Sequence, residues 1–537
     1  MKSLVDGFVR SVEKYSDSHA LEIGTTRWTY EELGRVAQSI AGHISGTDST
    51  STEPTQFVAI LAHKSIAAYG GVLGALLAGK AYVPLNPKFP LQRNLTMLQL
   101  SGANTIIVGE ECKGIAEEIL SSLSANDTSL SVILIGTESM EDYKTRFSNH
   151  TFLIANHIDA LKNEISSRNV DANSPAYLLF TSGSTGVPKG VAVSHANVGA
   201  YLEHTLRQYG ISSTDRCSQT FDLTFDLSVH DIFVTLSSGA CLCPIPDQAM
   251  MAPAWSIVEK DLTVWFSVPS VAMLMAKMRM LTPGRFPNLR LSLFCGEALP
   301  AQIAEKWQQA APNSVIENLY GPTEATIAIT RYRWDPDLSP SESLNGLVPL
   351  GQIFEGHRAA LLTESGDVLT QDAGEGELCL AGAQVTGGYL NNPEKTREQF
   401  VSLQDDRSTI WYRTGDLVRR DEGGQLHFLG RIDHQVKIRG YRAELQEIEH
   451  VLRRVGETES AVAVPWPVKD GHAEGVVAFL SGVNDVHAGS IIEECSRHLP
   501  AYMVPRRIVF LDQYPLNANG KIDRRRLAEG LDNALYD

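Results

Sequence analysis

The sequence predicts an α/β protein with a large N-terminal region over residues 1–432 and a small α+β region over 433–537. Apolar, β-rich runs alternate with helical patterns over most of the length, as expected of strands and helices stacked in layers. From about Gly376 the pattern turns to short strands divided by turn residues, and after Gly430-Arg-Ile-Asp433 it becomes compact and charged. The 537 residues leave room for roughly three or four folding units.

The elements follow in order. Met1 to Lys14 carries charge throughout and reads as an amphipathic helix rather than a signal-peptide core. Phe57-Val-Ala-Ile-Leu-Ala62 reads as a buried strand, Ala67–Ala78 as a closely packed helix, and Ala81-Tyr-Val-Pro-Leu85 as strand again. Thr105–Val108 and Ser131–Ile135 are further short strands, while Ser45–Pro54 and Ser121–Ser129 read as polar connections. Later, Gly376–Leu380, Gly387–Leu390 and Gln425–Leu429 read as short strands, and Glu444–Val455 and Gly489–Leu499 as helices.

Composition narrows the function. With 63 acidic against 46 basic residues, the formal charge is -17. That excess disfavours a nucleic-acid partner, which needs clustered Lys and Arg. No uncharged apolar run reaches the ~18 residues of a membrane span. Seven cysteines are thinly spread, and Cys241-x-Cys243 without a second pair is no zinc spacing. The expectation is a soluble, cytoplasmic protein with reduced thiols.

The most informative stretch is Tyr177-Leu-Leu-Phe-Thr-Ser-Gly-Ser-Thr-Gly-Val-Pro-Lys-Gly190, an apolar strand ending in a Thr/Ser/Gly loop with a lysine behind it. Backbone N–H groups and hydroxyls in such a loop converge on a polyanion, and the lysine offsets its charge. Lys189 follows Pro188 and precedes Gly190, so this is not a Walker A loop.

These residues resemble the phosphate-binding signature of the adenylate-forming superfamily. The other motifs resemble the amino-acid adenylation enzymes of nonribosomal peptide synthesis, the free-standing kind in particular. Those motifs are Trp28–Leu33, Leu77–Pro87, Asn318–Glu324, Tyr412–Leu417, Gly430–Gly440, Leu499–Pro505 and Asn519–Arg524. The resemblance implies ATP and Mg2+ as cofactors, and a large adenylation core with a small mobile C-terminal lid. The implied reaction joins a carboxylate to the α-phosphate of ATP and then passes the acyl group to a thiol.

It also implies roles. Thr181, Ser182, Gly183, Ser184, Thr185, Gly186 and Lys189 would hold the phosphates, with Thr181 and Lys189 counted as catalytic. Glu324 would carry Mg2+. Gly296, Glu297, Ala298, Asn318, Tyr320, Gly321, Thr323, Asp416 and Arg431 would surround the nucleoside. Lys521 would bridge the reacting carboxylate and the α-phosphate. Asp433 would be the hinge, and Lys437 and Gly440 would serve the thiol-transfer step.

Asp226 falls where amino-acid-activating members anchor the substrate ammonium, and an unpaired buried carboxylate is too costly to keep without such a partner. The implied pocket is Asp226, Leu227, His230, Phe266, Leu293, Cys295, Gly296, Leu319, Ile327 and Ala328. Apolar and filled by Phe266 and Leu319, it suits a small or medium neutral amino or imino acid. L-proline is the first expectation, although His230, Cys295 and Ala328 depart from the proline pattern. The alternatives are a D-alanine- or serine/cysteine-type carrier-protein ligase and an acyl- or aryl-CoA ligase. Sixteen residues follow Lys521, too few for a carrier domain, so the expected partner is a separate phosphopantetheinylated carrier protein, with Arg524-Arg-Arg526 as a candidate basic docking face.

Replacing Lys521 by Ala is expected to nearly abolish adenylate formation and largely spare ATP binding. Pyrophosphate release and nucleotide titration measured side by side check this; wild-type release from the variant contradicts it.

Overall fold

The computed structural model describes every residue except 1, 51–54, 127, 138, 156–164, 184–186, 404–405, 434, 459, 470–471, 482–486, 517–521 and 537, with the backbone alone at 48–50, 406–408 and 469. The chain forms two compact units. The first takes in Met1–Pro87, Leu98–Leu179 and Gly190–Gly430, and the second Lys88–Met97, Phe180–Lys189 and Arg431–Asp537. The last segment begins beside the expected boundary at Asp433. The two short ones lie in what the sequence reading assigned to the N-terminal region.

The first unit is built on three sheets. In one, the strands Thr151–Ala155, Ser131–Ile135, Thr105–Gly109, Phe57–Leu61 and Ala81–Leu85 run parallel in that spatial order. Phe57–Leu61 and Ala81–Leu85 are buried at every position. This is why they lack polar alternation: a parallel sheet is covered on both faces. The helix Ile66–Leu77 between them is rich in Gly and Ala and buried along nearly its whole length.

In the second sheet the parallel strands Cys241–Pro244, Arg216–Gln219, Val264–Ser267, Leu291–Phe294 and Val315–Tyr320 lie side by side. Antiparallel strands Thr330–Arg333 and Gln352–Ile353 extend one edge. The third sheet is antiparallel, with Arg358–Leu362, Gly374–Ala381 and Asp406–Arg420 at its centre.

In the second unit, Gln435–Ile438 and Tyr441–Glu444 form a hairpin. Its two-residue turn, Arg439-Gly440, has φ of 52° and 86°, the doubly left-handed turn that matches strand twist. The amphipathic helix Leu445–Val455 buries Leu445, Ile448, Val451 and Leu452 in that unit's core.

Two expected connections are helical instead. Tyr30–Thr50 runs through Ser45, and Lys113–Ser124 runs through Ser121 and Ser122. In each, hydroxyls donate to carbonyls one turn back, Ser45 to Ala41 and Ser121 to Glu117, and buried Ile44, Leu120 and Leu123 anchor the turn. Burial of the apolar stripe outweighs the weak helix propensity of serine. Gly387–Leu390, expected as strand, contributes only a bridge from Tyr389 to Val191. There Gly388 takes φ of 122° and the Tyr389 N–H donates to Thr396 Oγ1, which diverts the backbone from a ladder. Among the described residues, no helix is long and apolar enough to cross a membrane.

A buried ion cluster reinforces the second sheet where His19–Ile23 joins it beside Cys241–Pro244. Glu22 accepts from Arg27 Nε at 2.8 Å, Arg216 Nη2 at 3.0 Å and Lys260 Nζ at 3.2 Å. Burial alone would raise its pKa, but the hydrogen bonds from Arg216 and Lys260 outweigh it and lower the carboxyl to about 2. A folded-state pKa below the unfolded one gives stability that is present above about pH 4.5 and lost as pH falls through about 2. Glu22→Gln is therefore expected to lower the urea midpoint of the first unit at neutral pH, with the gap to wild type closing toward pH 2.

Candidate active site

Several residues expected to line the pocket gather where three parallel strands end, the usual place for ligands in an open α/β sheet. Phe266 and Leu293 are register partners on adjacent strands. Alternation along each strand then puts Leu293 and Cys295 on one face, with Leu319 beside them. Leu227, Phe266, Leu293, Cys295, Leu319, Ile327 and Ala328 belong to one contiguous buried cluster.

Asp226 sits at the N-terminal end of the buried helix Leu227–Ser237, 7% exposed. Burial pushes its pKa up to about 6, against the Thr323 side chain and the Ile327 and Leu227 backbone amides, which favour the charged form; the nearby Glu324 raises it further. Among the described residues, its buried Oδ2 has no hydrogen-bond partner. An acceptor left open in this way is expensive, and a substrate ammonium would satisfy it.

His230 lies one turn further along the helix and closes the far side. Its Nδ1 is 2.6 Å from the Tyr201 hydroxyl, and its ring meets Phe266 edge-on at 4.7 Å. Burial lowers its pKa to about 3, so the ring is neutral. Tyr201 was not anticipated from the sequence; no motif marks it.

The backbone that carries Ile327 and Ala328 is strained. Thr326 and Ile327 have φ of 58° and 72°, a region that β-branched residues rarely enter. Gln384, fully buried, holds it: its Nε2 donates to the carbonyls of Thr326 at 3.1 Å and Ala328 at 2.7 Å, and Thr326 Oγ1 donates back to its carbonyl at 2.6 Å. Sequence reasoning missed Gln384, since a lone glutamine carries no motif. At Gly321 a Cβ would meet Ala328 Cα at 2.6 Å, so this close approach needs glycine.

The other expected residues of the first unit are placed as follows. Glu324 is fully buried, with Oε1 accepting from the Tyr389 hydroxyl at 2.8 Å. Tyr320 donates to Asp416 Oδ2, so the two residues implied for adenine and ribose touch. Asp416 is set by a turn that Glu377 ties down, accepting from Gly415 N at 3.1 Å and Arg413 Nε at 2.9 Å. Asn318 Nδ2 donates to the Pro349 carbonyl at 2.9 Å, and its buried Oδ1 has no partner among the described residues. Glu297 accepts from Ser270 N at 2.8 Å, beside Gly296 at φ 91° and half-buried Ala298.

In the second unit, Thr181 ends its strand with Oγ1 buried and without a hydrogen-bond partner among the described residues. Ser182 Oγ donates to the Arg442 carbonyl at 3.1 Å, Gly183 N to Glu447 Oε2 at 3.2 Å, and Lys189 Nζ lies 3.5 Å from Glu444 Oε1. Arg431 makes a forked pair with Asp433, at 2.7 and 2.6 Å. Lys437 lies opposite Arg442 in the hairpin that Gly440 turns. Arg524 pairs with Glu449 and Arg525 with Glu529, so two of the three arginines of the expected docking face have internal carboxylates. Ser184, Thr185, Gly186 and Lys521 lie outside the described residues.

Among the described residues, no three His, Cys, Asp or Glu side chains cluster as a metal site. Mg2+ bridging phosphates needs only one or two protein oxygens. Glu324, a hard carboxylate oriented by a tyrosine hydroxyl, fits that need.

If Asp226 binds an ammonium, only its charged form does so. With its pKa at about 6, the KM for the amino acid is expected to fall about tenfold from pH 5 to pH 7. Asp226→Asn should abolish that dependence and most of the binding. Because the folded-state pKa lies above the unfolded one, the charged group costs stability as pH rises from about 4 to about 6. The variant should therefore melt no lower than wild type at neutral pH.

Known proteins place the chain. Residues 8–390 match the AMP-binding enzyme family and 447–521 the AMP-binding enzyme C-terminal domain. A D-alanine--D-alanyl carrier protein ligase of Listeria welshimeri is 32% identical over 98% of both chains. One from Bacillus cytotoxicus is 30% identical over 97% of this chain and 98% of its own. Among solved structures, the Vibrio cholerae adenylation domain AlmE, in complex with glycyl-adenosine-5'-phosphate, superposes with a TM-score of 0.89 at 34% identity, covering 99% of this chain and 98% of that one. With both family regions present in order and ATP with Mg2+ as its cofactors, the chain belongs to the AMP-binding, adenylate-forming enzymes.

Proposed function

We propose that the protein activates a small neutral amino acid, glycine or alanine in size, as its aminoacyl-adenylate and passes it to the phosphopantetheine thiol of a separate carrier protein. The observation that carries this is Asp226: a buried carboxylate with one oxygen unpartnered among the described residues, beside an apolar cluster of expected lining residues. A benzoate or fatty acid offers nothing to that oxygen, which disfavours the acyl- and aryl-CoA reading.

Size follows from the far wall. Phe266 and the Tyr201–His230 pair fill the space that a larger side chain would need. Because the His230 Nδ1 is already engaged by Tyr201, a polar substrate side chain is not required to satisfy that nitrogen. The ligases named for D-alanine and the neighbour holding a glycyl-adenylate agree with a small substrate. None of them supports proline.

In the first step the amino-acid carboxylate attacks the α-phosphorus of ATP, and the bond to the pyrophosphate oxygen breaks. Two anions must meet, so charge offset and alignment dominate. Asp226 fixes the ammonium end. Lys189 and the hydroxyls of Thr181 and Ser182 serve the phosphates, and Tyr320 and Asp416 the nucleoside. Glu324 would hold Mg2+, which would supply charge offset at the phosphates. In the second step the carrier thiolate attacks the acyl carbon and AMP departs.

Amino-acid-dependent pyrophosphate exchange should be measured with glycine, both enantiomers of alanine, serine, proline, leucine and phenylalanine, and with benzoate and octanoate as non-amino acids. Glycine or alanine is expected to exceed leucine and phenylalanine by at least about tenfold. Faster exchange with proline or with either non-amino acid overturns the proposal.

A further inference from the structure

Glu447 lies on the helix Leu445–Val455 and is 1% exposed. Its Oε1 accepts from Arg93 Nη1 at 2.6 Å and its Oε2 from the Gly183 N–H at 3.2 Å. Arg93 is itself 7% exposed and stacks over Phe89 at 5.5 Å. Burial works against the Glu447 charge, and Arg93 is the main group that supports it.

The same short stretch engages the loop twice more. The Arg442 carbonyl takes the Ser182 hydroxyl, and Glu444 lies 3.5 Å from the Lys189 ammonium. Gln435 bonds both Glu444 and Arg442 and so fixes the stretch from behind. A hydroxyl, a backbone N–H and an ammonium that would receive phosphate oxygens are thus facing a carbonyl and two carboxylates of residues 442–447.

We propose that Glu447, charged and positioned by Arg93, is a stand-in for a phosphate oxygen: the loop after Thr181 carries either this carboxylate or the phosphates of the nucleotide, never both. Two anions sharing the Gly183 N–H would repel at short range, so nucleotide binding expels Glu447. Departure of pyrophosphate lets it return. Glu447 and Arg93 are then positioning residues that couple an emptied loop to the arrangement of residues 442–447 seen here. If that arrangement serves the thiol-transfer step, losing it slows transfer without impairing adenylation. The inference rests on the phosphate-loop reading made above.

The test separates the two. Binding of Mg2+ with the non-hydrolysable adenosine 5′-(β,γ-imido)triphosphate, followed by calorimetry, needs no amino acid, whereas failure of the proposed function shows as absent amino-acid-dependent exchange. Glu447→Gln keeps shape and removes charge; it should bind this nucleotide and inorganic pyrophosphate about fivefold or more tighter and transfer a preformed aminoacyl group more slowly by a similar factor. Glu447→Asp, which keeps the charge, should fall closer to wild type in nucleotide affinity. Should Glu447→Gln fail to fold, Arg93→Met serves instead, since it leaves the carboxylate unsupported and should shift affinity in the same direction. Unchanged nucleotide and pyrophosphate affinity in the variant that folds overturns the proposal, even if transfer slows.

Discussion

A carboxylate enclosed by hydrocarbon side chains, with one oxygen lacking a donor, is costly to build, and much of the first unit makes sense as support for it. The Leu227 and Ile327 amides and the Thr323 side chain serve the Asp226 carboxylate. Ile327 can do so only because the backbone at 326–327 enters the left-handed region, and that strain persists because Gln384 bonds the loop from the other side. A single polar constraint thus reaches from the helix Leu227–Ser237 through a strained loop to a glutamine more than a hundred residues further along the chain. The cost is local and the restraint is distributed, which is the expected economy of a preorganised site.

How much of this was legible beforehand depends on the kind of signal. Buried strands such as Phe57–Leu61 and Ala81–Leu85 announce themselves by continuous apolar character, and the helix Leu445–Val455 by its amphipathic spacing. Ser45 and Ser121 misled because composition cannot show that a hydroxyl will bond the carbonyl one turn back while a neighbouring Ile or Leu is buried. In the candidate site, motif context singled out Asp226, His230, Phe266 and Glu324. It did not mark Tyr201, Gln384, Tyr389 or Glu377, which bond His230, the 326–328 backbone, Glu324 and the turn before Asp416. Their contacts are tertiary, and nothing local in the sequence encodes them.

The second unit shows how acidic residues can be used inside a chain that is already acidic. Glu444, Glu447 and Glu449 each face a cation, Lys189, Arg93 and Arg524 respectively. Net charge says nothing of these local pairings. Buried pairs of this kind contribute little to stability once desolvation is counted; their value lies in fixing one arrangement among several.

The hydrogen bond between Tyr201 and His230 has an evolutionary consequence. The two rings meet edge-on and His230 packs edge-on against Phe266, so shrinking either partner alone strands a polar atom as well as opening a void. Single changes there are penalised twice, and adjacent, bonded residues couple strongly. A lineage drifting toward a bulkier monomer would have to exchange both partners nearly together, which makes the chain's choice of building block resistant to gradual change.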